Sequence, residues 1–322
     1  MPTISVIIPV FNGEKTIQET IQSLLNQTFS DFELIVINDG SKDLTLPIVH
    51  NIKDPRLKVF SYPNAGLSAS RNRGVHQAAG EYISFIDADD LWTRDKLEAQ
   101  FKALQANPDA AVAYSWTHYI DESGHFLRRG SYISLSGNVY PKLLELNFLE
   151  NGSNALIRKQ ALDEVGEFDE SLAAAEDWDI FLRLAARYPF VAVPSPQILY
   201  RVSVNSMSAN LEKQEAATLQ VLERAFTEAP DSLQHLKKLS KANLYKYLTF
   251  KSLEGSPERQ KAIIGVKFLW HTINNDPSIM RRRIIWDVLL RNAIALLFPP
   301  QAALALFTKL ERRSNLEDLF SS

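Results

Sequence analysis

Three carboxylates fall within four positions at Asp87-Ala88-Asp89-Asp90, directly after the apolar run Tyr82-Ile83-Ser84-Phe85-Ile86. Crowded so closely, they repel one another and make poor core. The turn therefore needs abundant water or a compensating cation. At a strand's carboxyl end, alternate carboxylates can converge on one hard cation, typically Mg²⁺ or Mn²⁺, that also holds substrate phosphates. Asp89 is the best metal ligand of the three, and Asp87 is suited to a ribose or to the metal. Asp90 is suited to cap the next helix. A merely solvated acidic turn is the plain alternative.

Three more polar clusters follow strand-like runs. In Pro9-Val10-Phe11-Asn12-Gly13 a strand turns sharply, and its backbone could accept a nucleobase with Phe11 as a stacking face. A turn with Asn12 as a helix cap explains the same residues. In Asn38-Asp39-Gly40-Ser41 a carboxylate at a strand end can accept the imide N–H of a uracil; an Asp-Gly turn is the alternative. In the run Asn64 to Gly74, Gly66 lets the backbone approach a ligand, and a helix starting there offers amides to a phosphate. Arg71 and Arg73 carry the charge that a diphosphate demands, but only one can share the face of Leu67 and Ser70.

The elements that would position these clusters alternate. Short apolar runs rich in β-branched and aromatic residues cover Ile4–Val10, Glu33–Ile37, Leu57–Ser61, Tyr82–Ile86 and Ala111–Trp116. Helical spacing fits Ile17, Ile21 and Leu24, then Thr45–Ile52, Leu67–Ala79 and Arg94–Ala106, the last with Thr93 as its cap. Such alternation predicts an α/β fold: a Rossmann-like, mixed but mostly parallel sheet flanked by helices, with ligands beyond the strands' carboxyl ends. Further on, a strand is expected over Ser153–Ile157, a helix over Lys159–Val165, another over Asp177–Arg187 and a strand over Phe190–Val193. After about Ala209 the pattern is helical to the end, with Ser256-Pro257-Glu258 as one helix start. Two regions result: 1–210 as the α/β domain and 211–322 as a helical C-terminal extension.

The 322 residues, 45% hydrophobic and 23% charged, are ordinary for a globular protein, and a formal charge of -3 speaks against nucleic acid as a partner. With no cysteine, disulfides and thiolate chemistry are excluded. The first residues lack a signal-peptide pattern and no run of about 20 apolar residues occurs, so a cytoplasmic location is expected. The six histidines lack metal-ligand spacing, and G-x-S-x-G, P-loop and G-x-G-x-x-G patterns are absent.

In order and spacing these clusters resemble the inverting family-2 glycosyltransferases of the nucleotide-diphospho-sugar transferase (GT-A) type, from about Thr3 to Ser208. The carriers are Val6 to Asn12, Val36 to Ser41, Gly66 to Asn72 and Asp87 to Asp90, then Gly166-Glu167-Phe168-Asp169-Glu170 and Glu176-Asp177-Trp178-Asp179. The resemblance implies a GT-A fold and a nucleotide-diphosphate sugar donor, a UDP-sugar by preference. Asp39 would read its base, Asp87 and Asp89 would hold nucleotide and divalent metal, and Arg71 would lie near the nucleotide. Pro9, Phe11, Asn12, Gly66, Ala88, Glu176 and Trp178 complete the expected surroundings of the nucleotide sugar. Asp177 would be the general base; an acidic helix start is its plain alternative. Trp178 is either a face for an acceptor sugar or a core tryptophan.

One departure stands at Ser203, where the family loop Tyr200 to Ser208 often carries histidine. Serine would hold a metal less well, while Arg201 could still clamp a diphosphate. The expected function is transfer of a sugar to a hydroxyl of a glycan or lipid-linked acceptor, in synthesis of a polysaccharide or glycoconjugate. The alternative is a non-catalytic sugar-nucleotide-binding or scaffold protein of the same fold. Arg281-Arg282-Arg283 before Trp286, Leu289 and Leu290 suits peripheral membrane contact through residues 281–310. A packed appendage or a homodimer surface would use the same residues.

Overall fold

A computed structural model describes residues 1–203, 210–255, 257–311 and Leu319. Its centre is a nine-stranded sheet. Strands β1 (Ile4–Val10), β2 (Phe32–Asn38), β3 (Leu57–Ser61) and β4 (Tyr82–Phe85) lie parallel in the order β3-β2-β1-β4. Every residue of β1, β2 and β4 is buried, which is why their sequences read as unbroken apolar runs. Helices α1 (Ile17–Leu25), α2 (Thr45–Asn51) and α3 (Leu67–Gln77) connect them. Ile17, Ile21 and Leu24 of α1 pack on Ile4, Val6 and Ile8, each such side chain contributing roughly 1.5–3 kcal/mol by burial.

The parallel register delivers three loops to one edge. Val10 lies opposite Asn38, and Ile7 lies opposite Phe85. The turns after β1, β2 and β4 therefore emerge side by side, as the α/β expectation requires. Beyond β4 the sheet turns antiparallel through β8 (Leu156–Arg158), which pairs with β6 (Val112–Ile120). β6 runs parallel to β9 (Phe190–Arg201), and β5 (Leu91–Trp92) closes the edge on β9. β7 (Phe126–Arg129) hangs from β6 as a hairpin. Around this part sit α4 (Lys96–Ala106), α5 (Tyr140–Glu145), α6 (Lys159–Val165) and α7 (Glu176–Ala185).

Several boundaries differ from the sequence reading. β9 runs on from Val193 to Arg201 despite Pro194 and Pro196, because the register against β6 shifts around Trp116, opposite Pro196. A bulge there accommodates prolines that a regular ladder excludes. Ser153 precedes its expected strand, since its hydroxyl serves a turn described below. Thr93 does not cap α4, which begins at Lys96 with Asp95 before it; the Thr93 hydroxyl donates to Asp95 instead, at 2.7 Å. Asp90 caps no helix either, because it is buried in a hydrogen-bond network of its own. Pro257 is buried ahead of α10 (Arg259–Asn275) rather than at its first position, and Ser256 lies outside the described residues.

The chain divides into two units, Met1–Leu143 with Asn147–Ser206 and Leu144–Leu146 with Met207–Ser322. The second contains α8 (Leu211–Glu228), α9 (Lys237–Leu253), α10, α11 (Arg283–Leu297) and α12 (Pro300–Glu311). Its core is built from Phe250, Leu269, Ile285, Val288 and Phe307.

Lys96 is a cost that the first unit carries. Its ammonium is fully buried, donates to Ser84 Oγ at 2.8 Å and lies 3.6 Å above the Trp92 ring, and burial holds its pKa well below the ordinary value. The folded chain binds this proton less tightly than the unfolded chain. The resulting penalty is absent above the unfolded pKa, grows as pH falls, and is constant below the folded pKa. Lys96→Met should accordingly raise stability at neutral pH by about 1–4 kcal/mol, as when other buried charges are replaced by apolar groups of similar volume. Urea titration of both proteins checks this.

Candidate active site

The site is organised around one buried cation. Gly66 starts α3 with φ +93°, a conformation that costs glycine little, and the Asp39 carboxylate accepts from the amides of Ala65 and Gly66, both at 2.9 Å. Arg73 adds a third bond to Asp39 at 3.1 Å. So anchored, α3 turns Arg71 inward until only 1% of it is exposed. Its Nη1 donates to Glu176 Oε1 at 2.7 Å and its Nη2 to Asp87 Oδ1 at 2.8 Å. The rings of Phe85 and Phe168 lie 5.9 and 5.4 Å from the guanidinium carbon. Gly152 completes the cradle, because a Cβ there would lie 2.4 Å from Nη2. Both arginines of the run thus meet carboxylates, and only Arg71 is buried.

The acidic turn is fastened by its backbone. The amide of Asp87 donates to Ser153 Oγ at 3.0 Å, and that hydroxyl donates to Asp90. Thr20 Oγ1 donates to the carbonyls of Ala88 and Asp90 at 3.0 and 2.9 Å. Arg201 donates its backbone amide to Asp90 and its Nε to the Asp89 carbonyl at 2.8 Å. The rest of that guanidinium reaches Glu122 O at 2.7 Å and Glu19 Oε2 at 2.8 Å. Arg201 is thereby committed to holding the turn. Burial first, and then the Asp87 charge, push the Asp89 carboxyl up to about 6. Burial and both neighbouring aspartates push Asp90 well above the carboxylate range.

Asp177 enters from α7. The residue before this helix, Ala175, has φ +59°, and Glu176 and Asp177 begin the first turn. Glu176 takes the far side of Arg71. Burial and the adjacent Glu176 push the Asp177 carboxyl up to about 7, against the pull of Arg71. Asp177 accepts from the Trp178 amide at 2.7 Å and keeps part of its surface open to solvent. Trp178 is buried, and its indole N–H donates to Leu143 O at 2.9 Å, which matches the core alternative.

At the other side of the edge, Pro9, next to last in β1, lies opposite Ile37, and Phe11 projects with 51% exposure. Asn12 caps no helix. With φ +53°, it donates its amide to Ser41 Oγ and accepts from the Lys42 amide, both at 2.9 Å, so it stitches the first turn to the second. Sequence reasoning missed Glu19, Gly152 and Ser153. The run Asn151-Gly152-Ser153-Asn154 is turn chemistry and was open to that reading. Glu19 gave no signal, because its partner Arg201 is 182 positions away. Ser203 is half-buried, and Val204 to Ser208 lie outside the described residues.

A family model, glycosyltransferase like family 2, matches residues 5–252. The chain belongs to this family. A glycosyltransferase of Rickettsia bellii that is itself uncharacterised is 37% identical over 187 residues, which cover 57% of this chain and 26% of that protein. Chondroitin synthase of Escherichia coli is 26% identical over 86% of this chain and 37% of its own length. The chain spans 26% and 61% of the first two curated relatives it matches. Among solved structures, Staphylococcus aureus TarS 1-349 in complex with UDP superposes with TM-score 0.61 at 21% identity, covering 99% of this chain and 90% of that one. A mannosyltransferase of Pyrobaculum calidifontis in complex with GDP-Man and Mn2+ gives TM-score 0.59 at 18% identity, covering 99% and 81%. At these identities the likeness concerns the fold.

The donor set of this family-2 chain fits a divalent cation held in part by substrate. Among the described residues no three His, Asp or Glu side chains form a ready metal cage. Yet, among the described residues, Asp87, Asp89, Asp90, Glu176 and Asp177 stand near Arg71 and Arg201, and three of those carboxyls are pushed upward. Burial is the first cause of those shifts and like charge the second, and oxygen ligands of this kind suit a divalent cation.

Gly152→Ala tests the cradle. The added methyl must displace the Arg71 guanidinium and strain its two ion pairs, so stability should fall by about 2 kcal/mol. Thermal unfolding of the variant against the parent reads the difference.

Proposed function

We propose that this chain is an inverting glycosyltransferase that moves a sugar from a nucleotide diphosphate, by preference UDP, to a hydroxyl of a glycan or lipid-linked acceptor. The catalytic region would be residues 1–210, acting on the cytoplasmic side. The observation that carries the reading is that Arg71 bonds Asp87 of the acidic turn and Glu176, the chain neighbour of Asp177, through separate nitrogens. An inverting transfer is one in-line displacement at the anomeric carbon. The acceptor oxygen forms the new bond as the bond to the diphosphate breaks, and the acceptor proton must leave. A carboxylate facing the acceptor, remote from the departing phosphates, does that work. The Asp177 carboxylate takes the proton. Its raised pKa makes it a stronger base than an ordinary aspartate, and Arg71 keeps it ionisable.

Asp89, with Asp87 beside it, would hold Mn²⁺ or Mg²⁺, which when bound neutralises charge on the departing diphosphate. The Mn2+ in the complex of the mannosyltransferase and the UDP in that of TarS support this choice of cofactor and donor. Asp39, held at the end of β2 near the Asn12 stitch, would receive the base, with Phe11 and Pro9 at its rim. Chondroitin synthase among the relatives supports a polysaccharide product. Arg71 and Arg201 act here as positioning residues, which fix the separation of base and metal turn.

Asp177→Asn should leave donor binding unchanged by calorimetry and lower kcat by about 10²–10⁴-fold, the contribution of a positioned general base. In the parent, kcat/KM should rise with pH through about 7 and level off above it, because the carboxyl must shed its own proton before it can accept another. An active Asp177→Asn protein would reassign the base. Chelation with EDTA should abolish transfer, and Mn²⁺ should restore it. Asp89→Ala should need far more Mn²⁺ than the parent, measured as the metal concentration giving half-maximal UDP release.

A further inference from the structure

We propose that the outward face of α11, continued into α12, lies on an anionic lipid surface. In α11 one face is core: Ile284, Ile285, Val288 and Ala295 are buried. The opposite face, stepping three or four residues at a time, reads Arg283, Trp286, Leu290, Ala293 and Leu297. It spans roughly 20 Å at 1.5 Å per residue. Trp286 is 62% and Leu297 78% exposed, and Phe298 and then Leu304 of α12 continue the apolar surface. Single exposed leucines are ordinary, but an aligned file of them headed by a tryptophan is not.

The charges decide the occupant. The one carboxylate of α11, Asp287, is taken by Arg291 at 2.9 Å, so the outward face presents arginine and no acid. Arg281, just ahead of the helix, is exposed as well. Cations at one end of a tryptophan-bearing apolar file suit a helix lying in the plane of a lipid interface with anionic headgroups. Among the described residues no helix is long and apolar enough to cross a membrane, which agrees with lying on one. The neighbouring α10 repeats the pattern outward, as Arg259, Ile263, Val266 and Trp270. A second copy suits the face poorly. Paired antiparallel, each arginine end would meet the partner's apolar end, where no carboxylate receives it.

The test sediments the full chain with vesicles of phosphatidylcholine alone or mixed with phosphatidylglycerol. Binding should require phosphatidylglycerol and weaken as salt rises. Replacing both arginines, Arg281→Gln with Arg283→Gln, should lower partitioning roughly thirtyfold, at about 1 kcal/mol for each cation. Trp286→Ser with Leu290→Ser should abolish binding without lowering Tm, since both side chains are exposed. Absence of binding to the mixed vesicles overturns the proposal, and so does equal binding to neutral vesicles that the arginine changes leave intact. A parent dimer that the serine pair dissociates in sedimentation velocity, with no vesicle binding, assigns the face to self-association instead. Partitioning is read without any sugar transfer, so failure here leaves the transferase proposal standing.

Discussion

A guanidinium with 1% exposure cannot stand alone, and everything at the site follows from what Arg71 must be paired with. Removing such a charge from water costs several kcal/mol unless good geometry returns it. Asp87 and Glu176 supply that geometry at 2.8 and 2.7 Å from segments 16 and 105 positions away. The pairing ties α3, the acidic turn and α7 into one rigid constellation, while Phe85, Phe168 and Gly152 exclude water around it. Removing either carboxylate would leave one of the two guanidinium nitrogens without its acceptor. Structural and chemical demands on these residues therefore coincide.

The same pairing of charges bears on the cation proposed for the site. Arg71 answers Asp87 and Glu176. Arg201 binds the backbone of the acidic turn and Glu19, and so fixes Asp89 in place. Burial first, and then a neighbouring carboxylate, Asp87 beside Asp89 and Glu176 beside Asp177, push these two carboxyls up to about 6 and about 7.

Backbone strain marks the same place. Among the described residues, non-glycine positive φ occurs at Asn12, Glu150 and Ala175. Asn12 joins two loops of the site, Glu150 stands two residues before the Gly152 cradle, and Ala175 precedes the Glu176-Asp177 pair. Each costs on the order of 1–2 kcal/mol and persists because surrounding bonds hold it. The Glu150 carboxylate, for example, is fixed by the Ser131 amide at 2.9 Å.

The sequence alone determined the alternation of strands and helices, because two-sided burial writes itself as apolar runs and α1 shows its inner face as Ile17, Ile21 and Leu24. It determined where the acidic turn and the family motifs stand, since those are local patterns of residue type. β9 beyond Pro194, the two-residue β5, the hairpin strand β7 and the short α5 were not legible, because long-range pairing rather than local preference stabilises them. Nor was the choice between Arg71 and Arg73, the burial of Trp178, the service of Ser153 to Asp87 and Asp90, or the Arg201–Glu19 pair. Each is a contact between segments distant in the chain. Periodicity reports only which face of an element is inward; what that face meets is fixed when the whole sheet closes around it.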